Sequence, residues 1–256
     1  MTQTFRHPDI LEIARRDGRV SVDGLASHFG VTAQTIRRDL AELAEAGKLE
    51  RVHGGAILPS GVSNYGYDAR RAMAAEQKAA IAAACAADIP DDASVFLGIG
   101  TTTEAVARAL SRHRNLLVVT NNLHVAGILH EGSEAQIVLA GGALRRADWG
   151  LVGALTLRTI EQFKFDVAVL GCSALDEDGD LLDFDIQEVG VSQAIIGCAR
   201  RTFLVADATK FERAAPVRVA SLKEISRFYT DRPLPGPVQE RCEAWGTEVR
   251  VAATGG

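Results

Sequence analysis

After residue 75 the chain repeats one pattern: a short continuous apolar run, then a helically spaced segment, then another run. The runs are 95–99, 116–120, 136–140, 166–170, 202–206 and 227–230, and the helical segments between or beside them are 76–87, 103–111, 123–130, 155–163 and 186–200. A strand that is apolar on both sides must be buried on both sides, and a helix between consecutive strands is how parallel neighbours are joined. The pattern predicts a doubly wound α/β domain with a mainly parallel sheet, whose ligands bind beyond the carboxyl ends of the strands. Pro233, Pro235 and Pro237 mark a loop before a last helix near 238–245, and 252–256 reads as a frayed tail.

Residues 7–56 follow a different rule. Ile10, Leu11, Ile13 and Ala14 give a first helix one apolar face. Val20 and Val22 suggest a brief extended piece. Ser21 can cap a second helix with Leu25, Ala26 and Phe29 inside, and Gly30 stops it. Thr32 can cap a third, with Ile36, Leu40 and Leu43 inside and Gly47 at its end. Residues 48–53, followed by Gly54-Gly55, read as a hairpin. The stretch around Pro59, Ser60, Gly61, Ser63, Asn64 and Gly66 has no period and reads as a linker. The expected organisation is a small helical domain at 1–57, a linker at 58–74 and the α/β domain at 75–256.

Charge separates the two parts further. The whole chain carries a formal −5, which alone argues against nucleic acid. Residues 1–60 net zero, so the acidity belongs entirely to the larger domain. Cys85, Cys172, Cys198 and Cys242 are scattered without a C-x-x-C pair, which fits buried thiols rather than a zinc or thioredoxin-type motif. The longest apolar run, 79–87, is far too short to span a membrane, and the polar N-terminus lacks a signal-peptide core. These features predict a cytoplasmic protein, and no residue pattern calls for a cofactor, a metal or a membrane.

Two helices joined by the tight Phe29-Gly30-Val31 turn make a helix-turn-helix pattern, whose second member begins at the Thr32 cap. The first turns of such a recognition helix meet base edges in the major groove. With the capping Thr32, they offer Gln34, Thr35, Arg37 and Arg38 to the DNA; glutamine can pair with adenine, and arginine with guanine or phosphate. Arg51 and His53 on the hairpin would lie near the DNA backbone as a wing. Asp39 and Glu42 are expected farther along the helix, away from the DNA. A neutral domain can still hold a local basic face.

In the α/β part, Gly100-Thr101-Thr102-Thr103 follows a strand and opens a helix, an arrangement whose hydroxyls and free N–H groups suit an anion. It is neither a Walker loop nor the dinucleotide fingerprint, since no Gly-Lys-Ser/Thr follows and the third glycine is missing. Asn121-Asn122 and Gly141-Gly142 stand at two further strand ends. Lys210, shortly after Asp207, can supply charge for a phosphate. The acidic stretch from Asp176 to Asp185 is no EF-hand, because its sixth and twelfth positions are Leu181 and Gln187. It reads as a solvated loop from which Asp176 or Asp183 could bind ligand hydroxyls.

The segment Thr35-Ile36-Arg37-Arg38-Asp39-Leu40, with Gly47, Leu49 and Arg51-Val52-His53-Gly54-Gly55-Ala56, resembles the signature of DeoR-type transcriptional repressors. The resemblance continues through Gly100-Thr101-Thr102, Thr120-Asn121-Asn122, Ala140-Gly141-Gly142, Asp207 with Lys210, and Thr230-Asp231, covering about residues 5–231. Arg6-His7, Glu104-Ala105-Val106-Ala107 and residues 182–188 are similar to the subgroup that responds to glycerol 3-phosphate.

The resemblance implies a winged helix-turn-helix and a sensor domain sharing its fold with ribose-5-phosphate isomerase and CoA transferases. It also implies operator DNA as partner, a phosphorylated sugar or polyol (glycerol 3-phosphate first) as inducer, and a homodimer or homotetramer. The effector residues would be Gly100, Thr101, Thr102, Thr103, Asn121, Asn122, Gly141, Gly142, Asp176 and Lys210. Two positions depart from the family: Gly98 stands where an aspartate is frequent, and Gly190-Val191-Ser192-Gln193 where relatives are basic. The alternative is a sugar-phosphate isomerase or transferase with an accessory helix-turn-helix, using Asp176 and Glu188 as acid–base carboxylates. The attached winged helix speaks against it, since fold kinship alone does not establish an activity.

Overall fold

The computed structural model describes residues 6–17, 19–52, 54–57 and 67–253. His53 and much of the predicted linker lie outside them. The chain forms two compact units, Met1–Tyr65 and Gly66–Gly256.

The first unit holds α1 (Arg6–Asp17), β1 (Arg19–Ser21), α2 (Val22–Phe29), α3 (Ala33–Glu45), β2 (Glu50–Val52) and β3 (Gly55–Ile57). The predicted caps act as expected. The Ser21 hydroxyl accepts from Gly24 N, Thr32 Oγ1 accepts from Thr35 N, and Gly30 ends α2 in the left-handed conformation that glycine adopts without steric cost. Ile10, Leu25, Ile36, Leu40 and Leu43 form the core, and each is no more than 3% exposed. A fully buried side chain of this size is worth roughly 1.5–3 kcal/mol, so these few residues carry much of a small unit's stability. The three strands pair antiparallel in the order β1-β3-β2, giving the wing.

Asp39, expected only to lie away from the DNA, is fully buried. Arg6 Nε donates to its Oδ2 at 2.8 Å and Arg6 Nη2 to its Oδ1 at 3.1 Å. A buried carboxylate needs such a partner, and the partner lies thirty-three positions away on α1, beyond the reach of local periodicity.

The second unit opens with α4 (Tyr67–Ala72), which lies inside the stretch read as linker, and α5 (Ala75–Ala87). The remaining elements are β4 (Ser94–Leu97), α6 (Thr101–Ala109), β5 (Leu117–Thr120), α7 (Leu123–Gly132), β6 (Gln136–Leu139), β7 (Ala143–Arg145), β8 (Gly150–Val152), α8 (Ala154–Ile160), β9 (Val167–Leu170), β10 (Ala174–Leu175), β11 (Asp180–Asp183), α9 (Ile186–Cys198), β12 (Thr202–Val205), β13 (Val217–Ser221), β14 (Arg227–Thr230), α10 (Gly236–Trp245) and β15 (Glu248–Val251).

Seven strands form one parallel sheet in the order β15-β14-β12-β9-β4-β5-β6. Alternate strand residues serve opposite layers: Val95, Leu97, Val167 and Val169 pack with α5, α6 and α7, while Phe96, Ala168 and Leu170 pack toward α8 and α9. From β4 the chain adds β5 and β6 on one side, then β9, β12, β14 and β15 on the other. The order therefore reverses beside β4, and a ligand crevice is expected at the carboxyl ends of the strands there.

The predicted tail is also corrected. β15 extends the sheet, Ala252 N donates to Thr230 O at 2.8 Å, and Ala252 is only 6% exposed. β10, β11 and β13 form a separate antiparallel sheet, and β7 and β8 a hairpin, none of which the apolar runs revealed.

Candidate functional site

In the first unit α3 presents Thr32, Gln34, Arg37 and Arg38 to solvent, with Thr35 half-buried at its first turn. Arg38 Nε lies 3.4 Å from Glu42 Oε1 one turn on, while Arg37 has no hydrogen bond or ion pair among the described residues. Arg51 is exposed on β2. Because Asp39 is buried against Arg6, its charge does not oppose the arginines on the outer face.

The second unit builds its site at the end of β4. Gly100, at φ 146°, turns the chain into α6. The Thr103 hydroxyl sits 2.8 Å from Gly98 O and 2.7 Å from Gly100 O, so it locks the loop rather than facing a ligand. Thr102 is buried. Thr101 Oγ1 donates to Arg70 O at 3.4 Å, a long bond that a better acceptor would displace.

Lys78 stands beside this loop, sharing the Arg70 carbonyl with Thr101; sequence reasoning found only Lys210, whose charge acts on Lys78. Lys78 on α5 is 5% exposed, and its ammonium donates to the carbonyls of Arg70 and, at 2.7 Å, Met73. Burial pushes Lys78 down to about 8, with Asp207 opposing and Lys210 and Arg70 adding to the effect. Burial likewise lowers Lys210, reinforced by Arg213 and opposed by Asp207. Partly desolvated ammonium groups side by side are stabilised by an anion. The missed signal was positional: Lys78 and Arg70 lie on helices whose approach to the loop is tertiary.

At the end of β5, Asn122 caps α7 by accepting from His124 N at 2.9 Å, and Asn121 Nδ2 donates to Leu151 O at 3.0 Å. Asn121 Oδ1 and Asn122 Nδ2 are buried without a partner among the described residues. A buried unpaired donor and acceptor are what a polar ligand would satisfy.

The other predicted residues have local roles. Thr156 Oγ1 donates to Gly141 O at 2.6 Å, and a Cβ on Gly142 would stand 2.1 Å from that hydroxyl and 2.7 Å from Val152 O. Both glycines thus serve close packing between the β7–β8 hairpin and α8. Asp176 Oδ1 accepts from the N–H groups of Asp178 and Asp180 and closes the β10–β11 turn, whose Gly179 packs on Trp245. Its carboxylate is committed there and does not join the loop at 98–103. Asp183 is the carboxylate that faces inward: it accepts from Ser173 Oγ and Phe184 N, and burial pushes it up.

Beside it Arg145 binds Asp148, Asp185 and Glu188 together. Burial and the nearby Asp183 carboxylate push Glu188 up to about 8 against the pull of Arg145. Among the described residues no His, Cys, Asp and Glu group is arranged to hold a metal ion.

Residues 6–62 match the DeoR-like helix-turn-helix domain, and residues 73–232 match the DeoR C terminal sensor domain. The chain belongs to the DeoR family. The glycerol-3-phosphate regulon repressor of Escherichia coli is 47% identical over 240 residues, covering 94% of this chain and 95% of that protein. The repressor of the same name from Haemophilus influenzae is 45% identical over 90% of each chain. The HTH-type transcriptional repressor CsqR of Escherichia coli is 36% identical over 95% of this chain and 93% of its own.

Among solved structures, ribose 5-phosphate isomerase A of Methanocaldococcus jannaschii has a TM-score of 0.41 at 13% identity, over 54% of this chain and 55% of that one. The DeoR assignment places the helix-turn-helix on α2 and α3 and the sensor domain on the parallel sheet. No helix among the described residues is long and apolar enough to cross a membrane.

Proposed function

We propose that this DeoR-family protein is a cytoplasmic operator-binding repressor, not an enzyme, and that glycerol 3-phosphate releases it from DNA. The observation that carries the sensor reading is the loop at 98–103. It sits where the strand order reverses, with the Thr101 hydroxyl, the α6 N-terminus, Lys78 and Lys210 around it. The names of two similar relatives, the glycerol-3-phosphate regulon repressors of Escherichia coli and Haemophilus influenzae, support the choice of ligand.

In this reading Gln34, Thr35, Arg37 and Arg38 contact operator bases and backbone, Thr32 fixes the helix start, and Arg51 and His53 touch phosphates from the wing. A homodimer or homotetramer pairs two such modules on half-sites. Gly100, Thr101 and Thr102 with Lys210 and Lys78 receive the phosphate. Asn121, Asn122 and Asp183 receive hydroxyls, while Thr103, Gly141 and Gly142 shape the loops.

A phosphate competes with the Arg70 and Met73 carbonyls for Thr101 and Lys78. Those carbonyls hold α4 and its C-terminal end, and among the described residues α4 is the first helix after the DNA-binding unit in the chain. Release or repositioning of α4 supplies the differential binding that any effector needs.

A mobility-shift titration on the protein's own promoter DNA tests this. Glycerol 3-phosphate should dissociate a specific complex that glycerol leaves intact. A complex insensitive to glycerol 3-phosphate, or no specific complex, overturns the reading.

A further inference from the structure

A cavity of about 250 Å³ lies between α4, α6, α7 and Trp149, outside the loop at 98–103. One wall is a continuous stack of rings: Tyr67 and His124 lie 4.7 Å apart at 9°, and His124 and Trp149 5.2 Å apart at 24°. Trp149 is 53% exposed and has φ +59°, a conformation a bulky side chain seldom adopts and one that concentrates at functional sites.

The inner end is polar. Glu104 is only 2% exposed; its Oε2 accepts from the Tyr67 hydroxyl at 2.9 Å, while its Oε1 has no partner among the described residues. His124 Nε2 is also buried and unpartnered. Burial and Glu104 push the Tyr67 phenol up to about 12, so it remains a donor to Glu104. At the mouth stand the exposed Arg71 and Arg108, with Glu131 as the one carboxylate beside them.

We infer that this cavity is a second small-molecule site, for a compact molecule with a hydrogen-bond donor at one end and an anionic group at the other. The donor, a hydroxyl or an ammonium, satisfies the open oxygen of Glu104, and the anionic end meets the two guanidiniums. Leu123, Ile128 and the ring stack enclose its carbon skeleton. The requirement for a buried acceptor to find a donor is general; what is particular here is that no group among the described residues supplies it.

The chain has two tryptophans, so a Trp245→Phe variant leaves Trp149 as the only one and makes its emission a reporter of this cavity. 3-Hydroxypropanoate, β-alanine and glycerol 3-phosphate serve as probes, the first two separating a hydroxyl from an ammonium donor. At least one should change Trp149 emission saturably. Glu104→Gln replaces the open acceptor with an N–H donor and should weaken that response tenfold or more, and Arg108→Gln several-fold. Thr101→Val should leave it unchanged.

No saturable response to any probe overturns the inference. So does a response that Thr101→Val abolishes while Glu104→Gln and Arg108→Gln preserve it, which places the ligand at the 98–103 loop. Arg108 is exposed and its replacement keeps the fold, so the test stands even if Glu104→Gln does not fold. Loss of operator binding in the promoter titration would be a separate failure, of the repressor reading alone.

Discussion

The Arg6 guanidinium grips both oxygens of Asp39, tying the start of α1 to the middle of the recognition helix. The pair holds in place the helix that presents Arg37 and Arg38. It also neutralises the one carboxylate that follows them directly in the chain. Asp39→Ala removes the carboxylate that Arg6 grips, and removing one member of a buried pair is strongly destabilising. The expected outcome is a lower thermal midpoint for the first unit and loss of operator binding. Unchanged melting, followed by circular dichroism at 222 nm, would show the pair to be dispensable.

Arg37 is the exposed recognition-helix arginine without an intramolecular partner among the described residues, whereas Arg38 shares its charge with Glu42. Arg37→Ala should weaken operator binding by about 1–3 kcal/mol if it reads a base. Arg38→Ala should cost less, and its loss should show chiefly as a shallower salt dependence. Mobility-shift titrations at several salt concentrations separate the two. Equal affinity in both variants would place the DNA on another face.

The loop at 98–103 gives a pH signature. Lys78 is held down to about 8, so its ammonium is lost as pH rises through that value. Affinity for an anionic effector should therefore fall between pH 7 and 9, measured by calorimetry, and Lys78→Met should flatten the fall. Stability runs the other way. The unfolded lysine binds its proton up to its ordinary value of 10.5, so between about 8 and there the unfolded state holds more protons and stability rises with pH. Thr101→Val should reduce the effector response while leaving DNA binding intact.

Glu188 has the opposite sign. Its carboxyl is raised to about 8 from an ordinary 4.5, so the folded state binds more protons between those values and stability is lost as pH rises across that window. Glu188→Gln removes the titration while keeping an oxygen for Arg145. The melting temperature of this variant relative to the parent should climb from pH 5 to pH 8. A constant difference would show that Glu188 does not titrate there.

Gly142 and Gly190 make a matched pair. At Gly142 an alanine Cβ would enter the space of Thr156 Oγ1 and Val152 O at a φ of 145°, and backbone strain alone costs about 1–3 kcal/mol. At Gly190, inside α9, nothing lies within 4 Å of an added Cβ, and alanine should stabilise by roughly 0.5–1 kcal/mol. Denaturant midpoints of Gly142→Ala and Gly190→Ala should move in opposite directions.

The central strands were legible because burial on both faces writes an unbroken apolar run, as in residues 167–170. β15 was not, because Glu248-Val249-Arg250-Val251 is a largely exposed edge whose charges mask its pairing with β14. The caps at Ser21 and Thr32 were legible because capping is local. Asp39, Lys78 and Arg70 were not, because what gives them their role is another element's arrival. The glycines at 141 and 142 were visible as glycines, yet the sequence could not say whether the space beside them belonged to a ligand or to Thr156.

The sensor-domain match stops at residue 232, whereas α10 and β15 follow it and Ala252 is packed in the core. A fragment trimmed to the family boundary would bare the full hydrogen-bonding edge of β14 along residues 227–230. Exposed strand edges recruit strands from other molecules. Such a fragment should therefore precipitate or form mispaired multimers, and a protease nick between α10 and β15 would turn a folded regulator into a seed for aggregation.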